Sequence, residues 1–573
     1  MQTIQEILSA QIRTAFAAAF PDADLAALPL DATPATDEAF GDYQCNAAMA
    51  AAKLLRRPPR AVAEAVVARL PADGPVAKAD IAGPGFINLT LADDVLARHL
   101  EVLQADPLLG VPQPGAGKRL LLDYSSPNVA KPMHIAHIRS TVIGDALKRI
   151  HRALGYEVLG DNHLGDWGTQ FGILILGYRN FLDPKALEAS PVDELQRVYV
   201  LSHQKGEEDP AWKDQARAEL VKLQAGDPGN RALWQKFIDL SLAEFNRIYA
   251  RLGVSFELVR GESFYNDALP GVVAKLQALG LVRESEGALV AFLEDEKLPP
   301  CIVRKSDGGF NYATTDLATV FSREAEFHPD GIVYVTDERQ QLHFRQFFAV
   351  AKKAGAKTPL RHVWFGLMRL PEGLLSTRKG TAIKLDLLLD EAEKRALELV
   401  RQASPDMPAD QQQAVARAVG IGAVKYADLS QNPQSAVTFT WEKALAMDGN
   451  SAPYLQYAHA RIASVLDKHA ERFPGCDYMR EPILLDSPSA RRLALRLARH
   501  PDAVRAAAEQ EKPSLLADAL YDLSQAYSSF YQNVPFLKAD AGVRESRVRL
   551  CDLVAKVLRH GLALLGIETP DRI

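Results

Sequence analysis

Hydrophobic and polar positions change their rhythm twice along the 573 residues. At the start, Ile4, Ile7, Leu8, Ile12, Ala15 and Phe16 recur at helical spacing on one face, and a glycine-turned strand follows at 83–89. The Pro- and Gly-rich stretch 110–117 reads as a linker. From Arg119 the pattern predicts strands at 119–124, 156–160, 289–293, 331–336 and 361–368, with helices such as 133–153 and 341–354 between them. That alternation predicts a doubly wound parallel α/β sheet. A polar, largely helical insertion interrupts it at about 183–275. Beyond about residue 385 strand signals nearly vanish. Helical spacing then recurs at 387–403, 409–429, 451–470, 488–509, 514–532 and 543–565, which predicts an all-α region. The divisions expected are 1–112, 113–385 and 386–573.

Such a chain is too long for one hydrophobic core. With 47% apolar and 24% charged residues it has an ordinary globular composition. The net charge of −6 gives no general attraction to phosphate, so nucleic-acid binding would need local basic patches. The turn carrying Arg56, Arg57 and Arg60 is one. Cys45, Cys301, Cys476 and Cys551 lie far apart without a C-x-x-C pair, which supports neither a zinc knuckle nor a disulfide framework. A reducing cytosol is the expected compartment. No apolar run approaches the length of a membrane span, and the first helix, with Glu6 and no basic leader, does not read as a targeting segment.

Candidate chemistry concentrates at Ser125–His137, SSPNVAKPMHIAH. It lies between the 119–124 strand and a helix that Pro132 is expected to open. His134 and His137, three apart in the first turn, would share a face beside unpaired N–H groups and the positive end of the helix dipole. That arrangement suits an anionic phosphate. Paired histidines at this spacing are otherwise surface, capping or metal-binding residues. Further phrases follow: DNHLGDWGTQ at 161–170, GFNYATTDL at 309–317 with Tyr312 and Asp316 one helical turn apart, the basic stretch LSTRKG at 375–380, and YLQYAHAR at 454–461.

Together these phrases resemble class I aminoacyl-tRNA synthetases, and among them the arginyl-tRNA synthetases, over essentially the whole chain. The resemblance implies a Rossmann-type catalytic core of the HIGH superfamily with an N-terminal α+β domain that contacts tRNA and a C-terminal all-α bundle that reads the anticodon. It implies ATP-dependent ligation of L-arginine to its tRNA through arginyl-adenylate, with Mg²⁺ accompanying ATP as substrate and no zinc. It assigns phosphate contacts to His134 and His137, ATP contacts to Pro132, Ala136, Gly165, Met368 and Ser376, and arginine contacts to Asp123, Asn128, Tyr312, Asp316 and Gln340. It assigns tRNA contacts to Arg56, Arg57, Arg60, Arg461, Tyr531 and Ile573, with Arg491, Arg492, Arg496 and Arg499 as further candidates. It implies a monomeric, cytoplasmic enzyme that meets no membrane and activates arginine only with tRNA bound.

Two departures from the family pattern stand out. Ala136 occupies the usual glycine of the HIGH-type signature, and both lysines of the KMSKS-type loop are missing. Lys131 and Lys379 are the candidates to replace them. A synthetase for another amino acid, a tRNA-binding paralogue without catalysis and a small-molecule nucleotidyltransferase are the alternatives. The first lacks support in the case of the cysteinyl enzyme, whose zinc pocket has no counterpart here. The last leaves the helical C-terminal region unexplained.

Overall fold

A computed structural model of the chain describes residues 1–371 and 383–573. They divide into two compact units: Met1–Gln113 with Met447–Leu564 and Glu568–Ile573, and Pro114–Ala446 with Leu565–Ile567.

The second unit is built on five parallel strands: β1 (Arg119–Asp123), β2 (Glu157–Asn162), β3 (Leu258–Val259), β4 (Gly331–Asp337) and β5 (Leu360–Phe365), in spatial order β5-β4-β1-β2-β3. Leu120, Leu121 and Leu122 are all buried, as expected of a strand covered on both faces. Leu121 pairs with Leu159 on one side and Ile332 on the other. The order reverses between β1 and β4, and ligands collect at such a reversal, outside the strand carboxyl ends. Three helices flank this point: α1 (Ile135–Ala153), α2 (Tyr312–Phe327) and α3 (Gln341–Lys353). Leu317 and Val320 of α2 and Phe344, Phe347 and Val350 of α3 share a core with Leu121, Ile332 and Tyr334.

Residues 289–293, expected in the parallel sheet, belong instead to a separate antiparallel sheet of Val282–Ser285, Ala288–Leu293 and Leu298–Arg304. The cause is a two-residue turn in which Glu286 (φ 50°) and Gly287 (φ 76°) are both left-handed. That geometry makes a tight hairpin, and two residues cannot provide a parallel crossover. The insertion is helical as expected, in Pro184–Ala189, Pro191–Glu208, Pro210–Gln224 and Pro228–Leu252. Each begins with proline at the first turn, and Asp183, Asp209 and Asp227 cap three of them.

The expected strand 361–368 is two strands. The first stops at Phe365; Met368–Arg369 then pairs with Val437–Thr438, a strand the sequence pattern does not signal. The break is held by Arg139 of α1, fully buried, which donates to the carbonyls of Gly366 (2.5 Å), Ser435 (3.0 Å) and Pro433 (3.2 Å) and pairs with buried Asp428 at 2.8 Å. The helices Leu385–Ala403 and Ala409–Leu429, grouped by their helical texture with the C-terminal region, lie in the second unit. They approach so closely at Gly420 that a Cβ there would meet Ala392 O at 2.6 Å.

The first unit joins the start of the sequence to its end. The helix Ile4–Ala19 is capped by Thr3 and Glu6 in a reciprocal capping box. A four-stranded antiparallel sheet includes Val76–Ala82 and Phe86–Leu91. The helix expected at 488–509 is two, Pro488–Ala498 and His500–Glu509, because Pro501 cannot continue the first. Arg491 grips buried Asp42 with two hydrogen bonds of 2.8 Å and also pairs with Asp93, while Arg492 and Arg496 pair with Glu38 and Arg499 donates to Asp42 O. These arginines, phosphate candidates on sequence, therefore tie the N-terminal segment to the C-terminal helices.

Candidate active site

The chain leaves β1 through a strained loop. Ser125 (φ 71°), Ser126 (φ 48°) and Ala130 (φ 62°) are all left-handed, a conformation costing on the order of 1–3 kcal/mol per residue and persisting only where surroundings enforce it. Here they do. Ser125 Oγ lies 2.8 Å from both Thr141 Oγ1 and Tyr249 Oη; Ser126 N–H donates to Asn162 Oδ1 (3.1 Å) and Ala130 N–H to Ser241 Oγ (2.9 Å). The loop then pairs with the segment after β2: Asn128 bridges Gly165, with Val129 N donating to Gly165 O and Gly165 N to Pro127 O, both at 3.1 Å. A Cβ on Gly165 would sit 2.2 Å from Asn128 Oδ1, so any side chain there would displace the Asn128 amide.

Helix α1 begins at Ile135, later than Pro132 suggested, because residues 133–135 are extended against 383–385. Ile135 N–H donates to Ile383 O and Leu385 N–H to Met133 O, each at 3.0 Å. His134 is thus the N-cap and His137 the third helical residue, with ring centroids 4.0 Å apart. His137 Nδ1 accepts the His134 backbone N–H at 3.1 Å. Burial, the neighbouring His134 and the Lys131 charge push His137 down to about 3, and burial with Lys131 lowers His134. His137 is therefore neutral at pH 7 with its hydrogen on Nε2, a donor at the helix start.

Opposite lies an acidic end. Tyr312 opens α2 and is well exposed, and Asp316, one turn on, accepts from His343 Nε2 at 2.5 Å. Glu262 faces the same space. Gly261 precedes it against Asp166, whose carboxylate accepts from Ser263 N (2.8 Å) and Ser263 Oγ (2.6 Å), so that this motif aspartate fixes the Glu262 turn. Burial, with Asp316 and Asp166 nearby, pushes Glu262 up to about 8. Asp123 ends β1. Its carboxylate accepts from Ser126 Oγ (3.1 Å) and from Arg323, whose fully buried guanidinium also reaches Asp161, at 2.7 and 2.8 Å.

These two ends share one cavity of about 640 Å³. Asp123, Asn128, His134, Ala136, His137, Gly165, Tyr312, Asp316 and Gln340 all line it, as do Glu262, His343 and Thr315. Lys131, Pro132 and Met368 are not among its walls; the Lys131 ammonium lies over the Tyr199 ring, 5.6 Å from its centroid. Ser376 and Lys379 lie outside the described residues. Glu262 and Arg323 are additions that sequence reasoning missed. Neither stands in a recognisable local pattern.

The family described as tRNA synthetases class I (R), catalytic domain, matches residues 100–441, more than half the chain. The chain belongs to the arginyl-tRNA synthetases. The N-terminal domain of arginyl-tRNA synthetases matches residues 2–91, and the DALR anticodon binding domain matches 455–573. An arginine–tRNA ligase of Fusobacterium nucleatum is 45% identical over 556 residues, 97% of each chain. One of Azotobacter vinelandii is 45% identical, covering 95% of this chain and 96% of its own. Among solved structures, the arginyl-tRNA synthetase of Thermus thermophilus superposes with a TM-score of 0.82 at 27% identity, covering 99% of this chain and all of its own. That of Plasmodium falciparum gives 0.84 at 26% identity, covering all of both.

Within this arginyl-tRNA synthetase, the basic turn Arg56, Arg57 and Arg60 is exposed, with Arg57 over the Phe20 ring and Arg60 donating to Gly83 O. In the C-terminal helices the Arg461 guanidinium sits 4.7 Å from the Tyr457 ring centroid and 5.2 Å from that of Tyr531. Both tyrosines keep more than a third of their surface exposed, which makes a guanidinium–aromatic platform. Ile573 is half-buried. Among the described residues no helix is long and apolar enough to cross a membrane.

Proposed function

We propose that the chain joins L-arginine to its tRNA in two steps within the 640 Å³ cavity. An arginine carboxylate oxygen attacks the α-phosphorus of ATP and pyrophosphate leaves with its bridging oxygen. A ribose hydroxyl at the tRNA terminus then attacks the carbonyl carbon of the adenylate and AMP leaves. Phosphoryl transfer of this kind depends on positioning and charge stabilisation. His134 and His137, at the amino end of α1, supply uncharged donors to the phosphate oxygens. Ala136 borders the nucleotide. Mg²⁺ arrives as the ATP complex, coordinated mainly by phosphate and water.

The observation that carries this reading is the opposition of ends within one cavity. Donors gather at the start of α1, and acceptors gather around Tyr312, Asp316 and Glu262. A guanidinium presents five N–H donors in a plane, and only an acceptor-rich wall satisfies it. We assign the fork to Glu262, Asp316 and Tyr312, with Asp316 shared with His343. Asn128 and Gln340 hold the α-amino end. Asp123, already engaged by Arg323, borders the fork and maintains negative potential behind it. Arg56, Arg57 and Arg60, and the Arg461–Tyr531 platform with Ile573, meet the tRNA. Unpaired anticodon bases stack on such aromatics. The enzyme works as a cytoplasmic monomer.

The test is aminoacylation and ATP–pyrophosphate exchange with arginine or citrulline, each with and without tRNA. Citrulline has nearly the same shape but turns a carbonyl oxygen toward the carboxylates. Charging with arginine, exchange only when tRNA is present, and rejection of citrulline are expected. Comparable rates with citrulline would refute the assigned fork.

A further inference from the structure

We propose a divalent-cation site of the kind zinc occupies in the first unit, formed by His469, Cys476 and Glu545. None of the three serves the reaction described above. They come from three segments: the helix Ala452–Arg472, the turn after it, and the helix Val543–Leu564. The turn is set by Gly475 (φ 84°) and by Cys476 N–H donating to Phe473 O at 3.1 Å, which swings the thiol back toward the second helix.

One ligand atom from each residue, His469 Nε2, Cys476 Sγ and a Glu545 carboxylate oxygen, lie within 4.8 Å of one another. Two edges are already short: Cys476 Sγ to Glu545 Oε1 is 3.3 Å and His469 Nε2 to the same oxygen 3.6 Å. A tetrahedral zinc with metal–sulfur about 2.3 Å and metal–nitrogen and –oxygen about 2.0–2.1 Å separates its ligand atoms by about 3.3–3.6 Å. The second observation is His469 itself. It is 1% exposed, yet its Nε2 has no hydrogen-bond partner and faces the carboxylate. A buried imidazole nitrogen left in this way is costly, and a metal satisfies it. The mixed nitrogen, sulfur and oxygen set suits zinc among the divalent ions.

The Glu545 carboxylate is fixed in place by its neighbours: the Gly542 N–H donates to Oε2 at 2.7 Å and the Cys476 thiol to Oε1 at 3.3 Å. Arg544 donates to Glu545 Oε1 at 2.7 Å while lying 3.6 Å from the Phe473 ring centroid, so the carboxylate oxygen is shared between guanidinium and ion. Cys476 enters as a thiol; coordination replaces its proton with the metal and releases that proton to solvent. Three protein ligands leave a fourth position for water on the exposed Cys476 side. The bound ion ties the two helices together through the turn.

The probe is Co²⁺ titrated into the full-length protein, followed by Zn²⁺ competition. The other three cysteines are buried, so a sulfur-to-cobalt charge-transfer band reports on Cys476. The band is expected in the unmodified chain, bleached by Zn²⁺, and lost in Cys476→Ser, with Zn²⁺ raising Tm in the former and not in the latter. His469→Gln, checked for fold by circular dichroism, should weaken Co²⁺ binding by at least about tenfold, as loss of a metal-site partner does. Should His469→Gln not fold, the exposed Cys476→Ser variant decides alone. No band, a band that survives Cys476→Ser, a band Zn²⁺ does not bleach, or unaltered affinity in folded His469→Gln would overturn the proposal.

Discussion

Arginine binding should tighten as pH rises toward 8, and the reason lies in Glu262. In the arginine-free pocket its carboxyl is pushed up to about 8, chiefly by burial and then by Asp316 and Asp166. The form that pairs with a guanidinium is the ionised one. Below pH 8 the proton must leave before the cation is held, at about 1.36 kcal/mol, or a factor of ten, per pH unit. The dissociation constant should therefore fall about tenfold between pH 6 and 7, less between 7 and 8, and level off above. At pH 7 arginine should displace close to one proton, about 0.9, if the bound carboxylate returns to its ordinary range. Calorimetry of arginine binding in buffers of different ionisation enthalpy measures that number directly. Glu262→Gln should abolish the release and the slope, and weaken binding by about 1.5–3 kcal/mol, the contribution of a hydrogen bond to a charged partner. A raised folded-state pKa also means that this group's contribution to the free protein is present at low pH and lost as pH rises through 8, so arginine protects the fold most on the alkaline side. An affinity that is flat between pH 6 and 8, or proton release that persists in Glu262→Gln, would refute a role for the Glu262 proton.

His137→Ala should lower kcat by about 10²–10³, or roughly 2.7–4 kcal/mol, while leaving KM for arginine nearly unchanged in steady-state aminoacylation. Because burial, His134 and Lys131 hold His137 down to about 3 in the free enzyme, kcat/KM for ATP should show no step near pH 6.5 attributable to His137. Arg139→Met strands buried Asp428 and three carbonyls, and should cost about 3–5 kcal/mol in denaturant unfolding; a loss below 1 kcal/mol would contradict the tie described. Tyr531→Ala should raise KM for tRNA by the equivalent of about 1–3 kcal/mol of base stacking, with arginine-independent fold markers unaltered.

Most of what could be read in the sequence was local. The strand, loop and helix around Ser125–His137 are contiguous, and Tyr312 and Asp316 fall within one turn of one helix, so spacing alone brings their side chains together. Glu262 was hidden because its place depends on Asp166, 96 residues earlier, through contacts to Ser263. Arg323 was hidden because a buried arginine looks, in sequence, like any surface one; only the fold brings Asp123 and Asp161 to it. The same ambiguity ran the other way for Arg491, Arg492, Arg496 and Arg499, whose partners Glu38, Asp42 and Asp93 lie some 400 residues away. The 289–293 segment has strand character, and the two left-handed turn residues decide which sheet it joins.

The first unit is assembled from opposite ends of the sequence, with buried Asp42 clamped by Arg491 and Gln104 bonded to Asp552 at 2.7 Å. During synthesis the opening 113 residues emerge long before their partners exist. They must wait, with apolar surface uncovered, while several hundred intervening residues are translated and the parallel sheet forms. Completion of that unit thus waits on the helices beyond Met447, and the waiting segment is where chaperone dependence and aggregation of nascent chains should concentrate.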